Sequence, residues 1–170
     1  MKYIKLTLVI MTSLFLGQCS DKKKADDQKT EAKQEIKEEE PIVLVDIQKI
    51  VNKSVSEVGT VWGKAEKTET VEGYPCSKSK CKRVFFGNGK YEVIFKNGKA
   101  DRITIYKRGT YLEMNERLIE SLGLTKSLPS VNNPSTVIRW NNLDGLNEVS
   151  FFNNGYDKVD YILIQVTEPE

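Results

Sequence analysis

Residues 91–106 constrain the fold most, because apolar and polar residues alternate on both sides of an Asn-Gly pair with the period of half-buried strands. This pattern predicts a β-hairpin. A two-residue loop at Asn97-Gly98 would place the apolar residues of the two strands on opposite faces. A three-residue loop, Lys96-Asn97-Gly98, with a left-handed glycine brings them to one face, and we therefore predict that loop.

Residues 1–18 have the organisation of a secretory signal peptide. Two lysines precede a largely apolar run that is too short to span a bilayer as a mature helix. The sequence Leu-Gly-Gln-Cys, which ends at Cys19, resembles the lipobox of bacterial lipoproteins. This resemblance implies that Cys19 becomes the acylated amino terminus, with palmitate-like chains that anchor the protein in a lipid bilayer. The alternative is a cysteine within an ordinary signal peptide.

The composition changes after the signal peptide. Residues 20–40 contain six lysines and eight acidic residues, no aromatic residue and one large aliphatic residue, so they cannot build a core. We predict that residues 19–41 are the lipidated cysteine and a charged flexible tether. Residues 42–168 are then predicted to form a single domain.

Two stretches of this domain show the same order of predicted elements. Ser54 and Glu57 form a capping box before a helical pattern, and strand patterns follow. Residues 115–122 have a second helical pattern, again followed by strand patterns. The residues at 148–151 also repeat the Glu-Val-x-Phe sequence at 92–95. This common order predicts an internal duplication.

The predicted fold class is therefore α+β, with two helix-plus-antiparallel-sheet repeats that form one continuous sheet with helices packed on one face. Repeat one covers about residues 46–108 and repeat two about residues 109–166. The helix pattern resembles small outer-membrane lipoproteins of the BamE (SmpA/OmlA) type, and the doubling resembles the β-lactamase inhibitor protein type. These resemblances imply protein binding without catalysis. The residues that carry the BamE-like pattern are Ser54, Glu57, Val58, Trp62 and Gly63.

The chain has three cysteines, and Cys76 and Cys81 remain once Cys19 is assigned to lipidation. Outside the reducing cytosol these two are free to pair, and a disulfide would close a short loop. The alternative is a metal pair. Zinc needs four ligands of this kind, and the chain has no histidine and no second cysteine pair, so we predict no metal site.

The absence of histidine also excludes histidine-based catalytic triads and dyads. The glycine-containing turn at residues 87–89 lacks the glycine and lysine pattern of a phosphate-binding loop. We therefore predict a protein that is not an enzyme, has no catalytic residues and needs no cofactor.

Charge is unevenly distributed along the domain. Residues 78–108 carry ten basic residues against two acidic ones, whereas residues 109–170 carry four against nine. A basic sheet could meet an acidic protein, a polyanionic glycan, anionic lipid headgroups or nucleic acid. The alternative is a solvated strand face whose charges are matched internally. The candidate binding surface comprises Lys78, Lys80, Lys82, Arg83, Tyr91, Lys96, Lys99, Arg102 and Tyr106.

The leading functional hypothesis is a lipoprotein of the bacterial outer membrane, facing the periplasm or exposed at the cell surface, that acts as a non-catalytic protein-binding module. The alternative is a surface adhesin that binds acidic glycans through its basic sheet and loop. An envelope location argues against a nucleic-acid partner. Exposed aromatic residues such as Tyr91, Tyr106 or Trp140 on one sheet face would favour the protein-binding hypothesis.

Overall fold

The computed structural model describes four stretches of the folded part, which are residues 42–73, 75–76, 80–106 and 112–167. The predicted signal peptide, Cys19, the tether and Lys78 lie outside these stretches. Within the described residues, no helix is both long enough and apolar enough to cross a membrane.

Within the described stretches, eight antiparallel strands form one sheet. In chain order they are β1 (Lys67–Val71), β2 (Cys81–Phe86), β3 (Tyr91–Lys96), β4 (Lys99–Tyr106), β5 (Val131–Asn133), β6 (Val137–Leu143), β7 (Leu146–Asn153) and β8 (Val159–Gln165). Their order in the sheet is β1-β2-β3-β4-β8-β7-β6-β5. The first half of the sheet, β1 to β4, and the second half, β5 to β8, are each a meander, and the halves meet where β4 pairs with β8.

The helical segments are short. They are the α-helix α1 (Val55–Trp62) and two 3-10 helices, Ile47–Lys49 and Glu116–Leu122. The predicted capping box at the start of α1 is confirmed, because Ser54 Oγ accepts a hydrogen bond from the Glu57 backbone N–H while the Glu57 carboxylate accepts one from the Ser54 N–H. The hydrogen bond from the Ser54 backbone holds the pKa of Glu57 below its ordinary value.

The prediction of two helix-plus-sheet repeats with helices packed on one face is wrong, because the described fold is mostly one eight-stranded sheet with little helix. The segment expected to be the second α-helix is a seven-residue 3-10 helix between its cap Asn115 and the left-handed Gly123. Within it, Ser121 Oγ donates to the Leu118 carbonyl at 2.6 Å. The Leu118 N–H donates to the Asn115 carbonyl and the Gly123 N–H to the Glu120 carbonyl, each three residues back, which is the 3-10 pattern.

One face of the sheet is buried. Val58 of α1 and the apolar residues of the second 3-10 helix belong to the same hydrophobic cluster as this face. We call the opposite side of the sheet the open face. The sheet residues of the buried cluster alternate along their strands and include Val84, Phe86, Val93, Phe95, Ile103, Ile105, Ile138, Trp140, Val149, Phe151, Ile162 and Ile164.

The β3–β4 hairpin forms, but the three-residue loop predicted for it is wrong. Lys96 pairs with Lys99, which leaves a two-residue turn at Asn97 and Gly98. Both turn residues have positive φ angles, 52° and 76°, as a two-residue turn between twisted strands requires. The loop therefore does not supply the extra residue that the alternation pattern demands.

A β-bulge supplies it. Ile94 pairs with Arg102 and Phe95 pairs with Ala100, so Asp101 has no opposite residue. The insertion reverses the phase of β4 relative to the turn and returns its isoleucines to the buried face. The prediction that the hairpin needs one extra residue was thus correct, but its predicted position in the turn was wrong.

Candidate functional site

The side chains of the open face lie in three rows that cross the strands through paired residues. The aromatic row consists of Tyr106, Tyr161 and Phe152. The central row consists of Lys67, Phe85, Glu92, Thr104, Leu163, Ser150, Arg139 and Val131. The outer row consists of Glu69, Arg83, Ile94, Arg102, Gln165, Glu148 and Asn141.

The aromatic row is half-buried, and two of its rings stack. The rings of Phe152 and Tyr161 stack with centroids 4.5 Å apart and planes 14° from parallel. Tyr106 pairs with Tyr161 across β4 and β8, and its hydroxyl donates to Glu92 Oε2 at 2.9 Å. Burial and this hydrogen bond raise the pKa of Tyr106 above its ordinary value. The Tyr106 hydroxyl is therefore protonated near neutral pH and acts as a fixed donor to Glu92.

Glu92 connects the aromatic row to the charged residues of the first half. Its second oxygen, Oε1, lies 3.1 Å from Arg83 Nε. Arg83 Nη1 lies 3.7 Å from Glu69 Oε2, which is beyond hydrogen-bonding distance. Lys67 bonds to Glu69 at 2.5 Å and holds the pKa of that carboxyl below its ordinary value. The basic charge predicted for this sheet is thus largely interleaved with glutamates.

A shallow basin of about 470 Å³ lies in the first half of the open face and reaches β8. Its floor is apolar, because Ile94 and Leu163 are only 5% and 8% exposed. Its walls carry guanidinium, carboxylate and phenol groups. The residues that line it are Pro75, Arg83, Glu92, Ile94, Arg102, Thr104, Tyr106, Tyr161 and Leu163.

The predicted disulfide between Cys76 and Cys81 is confirmed, with the two Cα atoms 5.8 Å apart. Both cysteines are buried and pack with Ile94 and Val71 of the open face. Pro75, which precedes the first cysteine, lines the basin. The disulfide therefore holds Pro75 and Cys76 against the open face, and Pro75 forms one side of the basin.

Of the predicted surface residues, Arg83, Arg102 and Tyr106 come together around the basin. Tyr91 lies on the other side of the sheet, where its ring stacks on Trp62 with centroids 4.1 Å apart. Tyr91 therefore does not share the open face with Arg83, Arg102 and Tyr106. The reason is that Tyr91 pairs with Ile105, which points into the core.

Other predicted lysines lie away from the basin. Lys82 pairs with Phe95, a core residue, and so points away from the open face. Lys96 and Lys99 flank the hairpin turn at the end of β3 and β4. Lys80 forms an exposed ion pair with Glu72 at 2.8 Å. Nearness in sequence therefore did not produce one basic surface.

The aromatic residues expected on one face are also distributed differently. Trp140 is 2% exposed and lies in the core, so it does not share a face with Tyr106. Tyr161 and Phe152, which complete the aromatic row, were not predicted from the sequence. The alternation of β8 left its phase open. Alignment of its isoleucines at 162 and 164 with those of β4 would have placed Tyr161 on the open face.

The second half carries a similar but closed network. Arg139 Nε donates to Ser150 Oγ at 2.8 Å, and the serine hydroxyl donates to Glu148 Oε1 at 2.7 Å. The arginine Nε also lies 3.2 Å from the same Glu148 oxygen. The serine therefore ties both charged groups to the sheet.

Two further findings bear on the chemistry of the chain. Among the described residues, no group of three or more histidine, cysteine, aspartate or glutamate side chains could hold a metal ion. No protein-family model, curated protein or solved structure matches the chain. The geometry of the open face is therefore the basis for assigning a function.

Proposed function

We propose that this protein is a non-catalytic protein-binding module of the bacterial envelope, held at a membrane by acylated Cys19, that binds its partner with the open face. The observation that carries this proposal is the half-buried aromatic row beside an apolar-floored basin. Tyrosine and arginine are the residue types that contribute most binding energy per side chain at protein interfaces. Here Tyr106, Tyr161, Arg83 and Arg102 converge on one basin.

The hydrogen bonds within the site support a binding role. Glu92 holds Tyr106 by a hydrogen bond and lies next to Arg83, so these side chains are ordered before any partner arrives. A side chain that is already ordered loses less conformational entropy on binding. The disulfide has the same effect on the chain beside Pro75.

The location rests on the sequence of the amino terminus. The signal-peptide pattern and the lipobox-like sequence before Cys19 support export and acylation. The disulfide suits an oxidising compartment outside the cytosol. A flexible tether of about twenty residues would extend roughly 25 Å, so the folded part could reach partners near the membrane surface.

The acidic-glycan hypothesis has less support from the charges. A polyanion needs a run of cations on one surface, and the predicted basic residues that the structure describes do not form one. Lys82 points away from the open face, Lys96 and Lys99 flank the hairpin turn, and Lys80 pairs with Glu72. The predicted cations are therefore spread over different surfaces, with Arg83 and Arg102 on the open face.

Site-specific photocrosslinking in intact cells tests the proposal. A benzoylphenylalanine replaces Tyr161 in the aromatic row, and the control replaces the exposed Lys64 beyond the end of α1. We expect a discrete protein adduct from position 161 that position 64 does not give, with the partner identified by mass spectrometry. Equal adducts at both positions, or none at 161, would reject the open face as the binding surface. An adduct sensitive to glycosidase and not to protease would support the glycan hypothesis.

A further inference from the structure

The basin offers many hydrogen-bond donors and few acceptors. The guanidinium groups of Arg83 and Arg102 and the hydroxyl groups of Thr104 and Tyr161 line it. Its one carboxylate belongs to Glu92, of which one oxygen accepts a hydrogen bond from the Tyr106 hydroxyl and the other lies 3.1 Å from Arg83 Nε, a buried nitrogen without a hydrogen-bond partner. A ligand that fits this chemistry brings acceptor atoms and negative charge.

The two arginines are placed on either side of one apolar residue. Ile94 of β3 pairs with Arg83 on β2 and with Arg102 on β4. Two strand spacings separate the arginine backbones, about 9.5 Å in all. Extended arginine side chains can close this distance over Ile94, so a single carboxylate above the isoleucine can contact both guanidinium groups.

We propose that the basin binds an aspartate or glutamate side chain of a partner polypeptide, with the carboxylate between Arg83 and Arg102. A flanking apolar residue of the partner packs on the aromatic row. This inference rests on the proposed function and specifies the chemistry of the partner. A volume of about 470 Å³ holds one or two side chains with their backbone.

The aromatic row distinguishes a polypeptide from a polyanion. Its half-buried rings can pack against the apolar neighbour of an acidic residue, whereas a sulfated sugar presents polar groups in every direction. Arg83 and Arg102 are the two cations among the residues that line the basin. In the second half Ser150 bonds to both Arg139 and Glu148. The site that would bind acceptor atoms of a ligand therefore does not continue as a groove into the second half.

Selection of a random peptide library on the full-length protein in detergent micelles tests this inference. We expect enrichment of peptides in which an acidic residue adjoins an aromatic or aliphatic one. Replacement of that acidic residue by its amide should weaken binding at least tenfold. Arg83→Gln and Arg102→Gln should each weaken binding at least tenfold, and Arg139→Gln, the matched control from the second half, should change it less than twofold.

Thermal melts confirm that each variant is folded, and Arg83→Lys provides a second test. Lysine keeps the charge but lacks the planar fork, so we expect an intermediate loss of affinity. The inference would be overturned, and the proposed function would stand, if selected peptides bind the Tyr161→Ala protein more weakly but keep their affinity when their acidic residue is replaced by its amide. Binding of a sulfated oligosaccharide that needs both arginines, or failure to enrich any peptide, would also overturn it. If benzoylphenylalanine at position 161 also gives no protein adduct, the proposed function is rejected as well.

Discussion

The two halves of the sheet carry the same charged pair in different surroundings. Arg83 and Glu92 approach to 3.1 Å in the first half, and Arg139 and Glu148 approach to 3.2 Å in the second. In the second half a buried serine bridges the pair, and the network is complete. In the first half a tyrosine takes the second glutamate oxygen, and a basin opens beside the arginine. In the second half the charged groups bond to each other and to the sheet, whereas in the first half the arginine borders a basin.

The halves also differ in how their tryptophans contribute to the core. Trp140 in β6 is fully surrounded, contacts Phe151 edge to face and donates from Nε1 to the Ser127 carbonyl at 2.9 Å. Trp62 at the end of α1 is half-buried and stacks on Tyr91 at the rim of the core. The second half is therefore packed mainly by the sheet itself, whereas the first half depends on a short helix for its rim.

The largest expected effect is a difference in the free energy of unfolding between variants of these two tryptophans. Trp140→Ala should lower the free energy of unfolding by about 3–5 kcal/mol, because it leaves a cavity in a closed core and removes the hydrogen bond to the Ser127 carbonyl. Trp62→Ala should cost about 1–2 kcal/mol, since its ring is only partly buried at the rim of the core. Urea unfolding of both variants measures the difference.

Trp62→Phe is the control, because it keeps an aromatic ring over Tyr91. It should recover part of the loss. Equal destabilisation by Trp62→Ala and Trp140→Ala would contradict the contrast between a closed core in the second half and a helix rim in the first.

The next effect concerns the disulfide, which the first half alone contains among the described residues. Cys76→Ala combined with Cys81→Ala should lower the free energy of unfolding by about 2 kcal/mol, because the short loop gains freedom in the unfolded chain. Hydrogen exchange should become faster in β1 and β2, which hold the loop. Amides of β6 and β7 serve as the internal reference. Faster exchange throughout the sheet would show that the disulfide supports the whole fold and not the site.

The contrast between the halves shows what local sequence can predict. Alternation predicted the strands β2, β3 and β4, and spacing predicted the capping box of α1, because both depend on residues close in the chain. The disulfide follows from cysteine spacing and compartment. The bulge at Asp101 was not predictable in this way, because Asp101 is bonded by residues that follow β8 and are distant in sequence. Its carbonyl accepts from the Val166 N–H and its carboxylate accepts from the Thr167 hydroxyl.

The site was only partly predictable for the same reason. Arg83, Arg102 and Tyr106 were identified from a local excess of basic residues and from strand alternation. Tyr161 reaches the basin because β8 inserts between β4 and β7, which is a pairing between distant segments. The duplication was overestimated because capping residues mark the start of a helical turn but do not determine whether an α-helix or a 3-10 helix follows.

The helix caps provide a smaller test. Ser54→Ala should lower the free energy of unfolding by about 1 kcal/mol, because it removes one side of the capping box. Asn115→Ala should cost less, since the asparagine supplies a single acceptor, to the Arg117 N–H at 2.9 Å. Chemical denaturation at neutral pH measures both. Equal losses would show that the 3-10 segment depends on its cap as strongly as α1 does.

The capping box also predicts a dependence on pH. Folding lowers the pKa of Glu57 below its ordinary value of 4.5, so its contribution is fully present above about pH 4.5. This contribution is lost as the pH falls through the lower pKa of the folded state. The stability difference between wild type and Glu57→Gln, which removes the carboxylate charge, should therefore shrink in acid. A stability difference that stays constant down to pH 2 would show that the Glu57 carboxylate does not contribute to stability.

The smallest expected effect tests the hydroxyl group that distinguishes the two charged pairs. Folding raises the pKa of Tyr106 above its ordinary value of 10.0, mainly through burial and then through Glu92. The unfolded chain therefore ionises first, and this contribution to stability is present below about pH 10 and lost as the pH rises through the folded-state pKa. The difference in free energy of unfolding between wild type and Tyr106→Phe should become smaller between about pH 10 and the folded-state pKa.

Absorbance titration should show the phenolate of Tyr106 forming above pH 10. Glu92→Gln should bring the pKa of Tyr106 back towards 10, because the neighbouring negative charge is gone. Glu148→Gln in the second half should leave the Tyr106 titration unchanged, and an equal shift from both variants would mean that the field of the whole sheet, and not the Tyr106–Glu92 bond, sets this pKa.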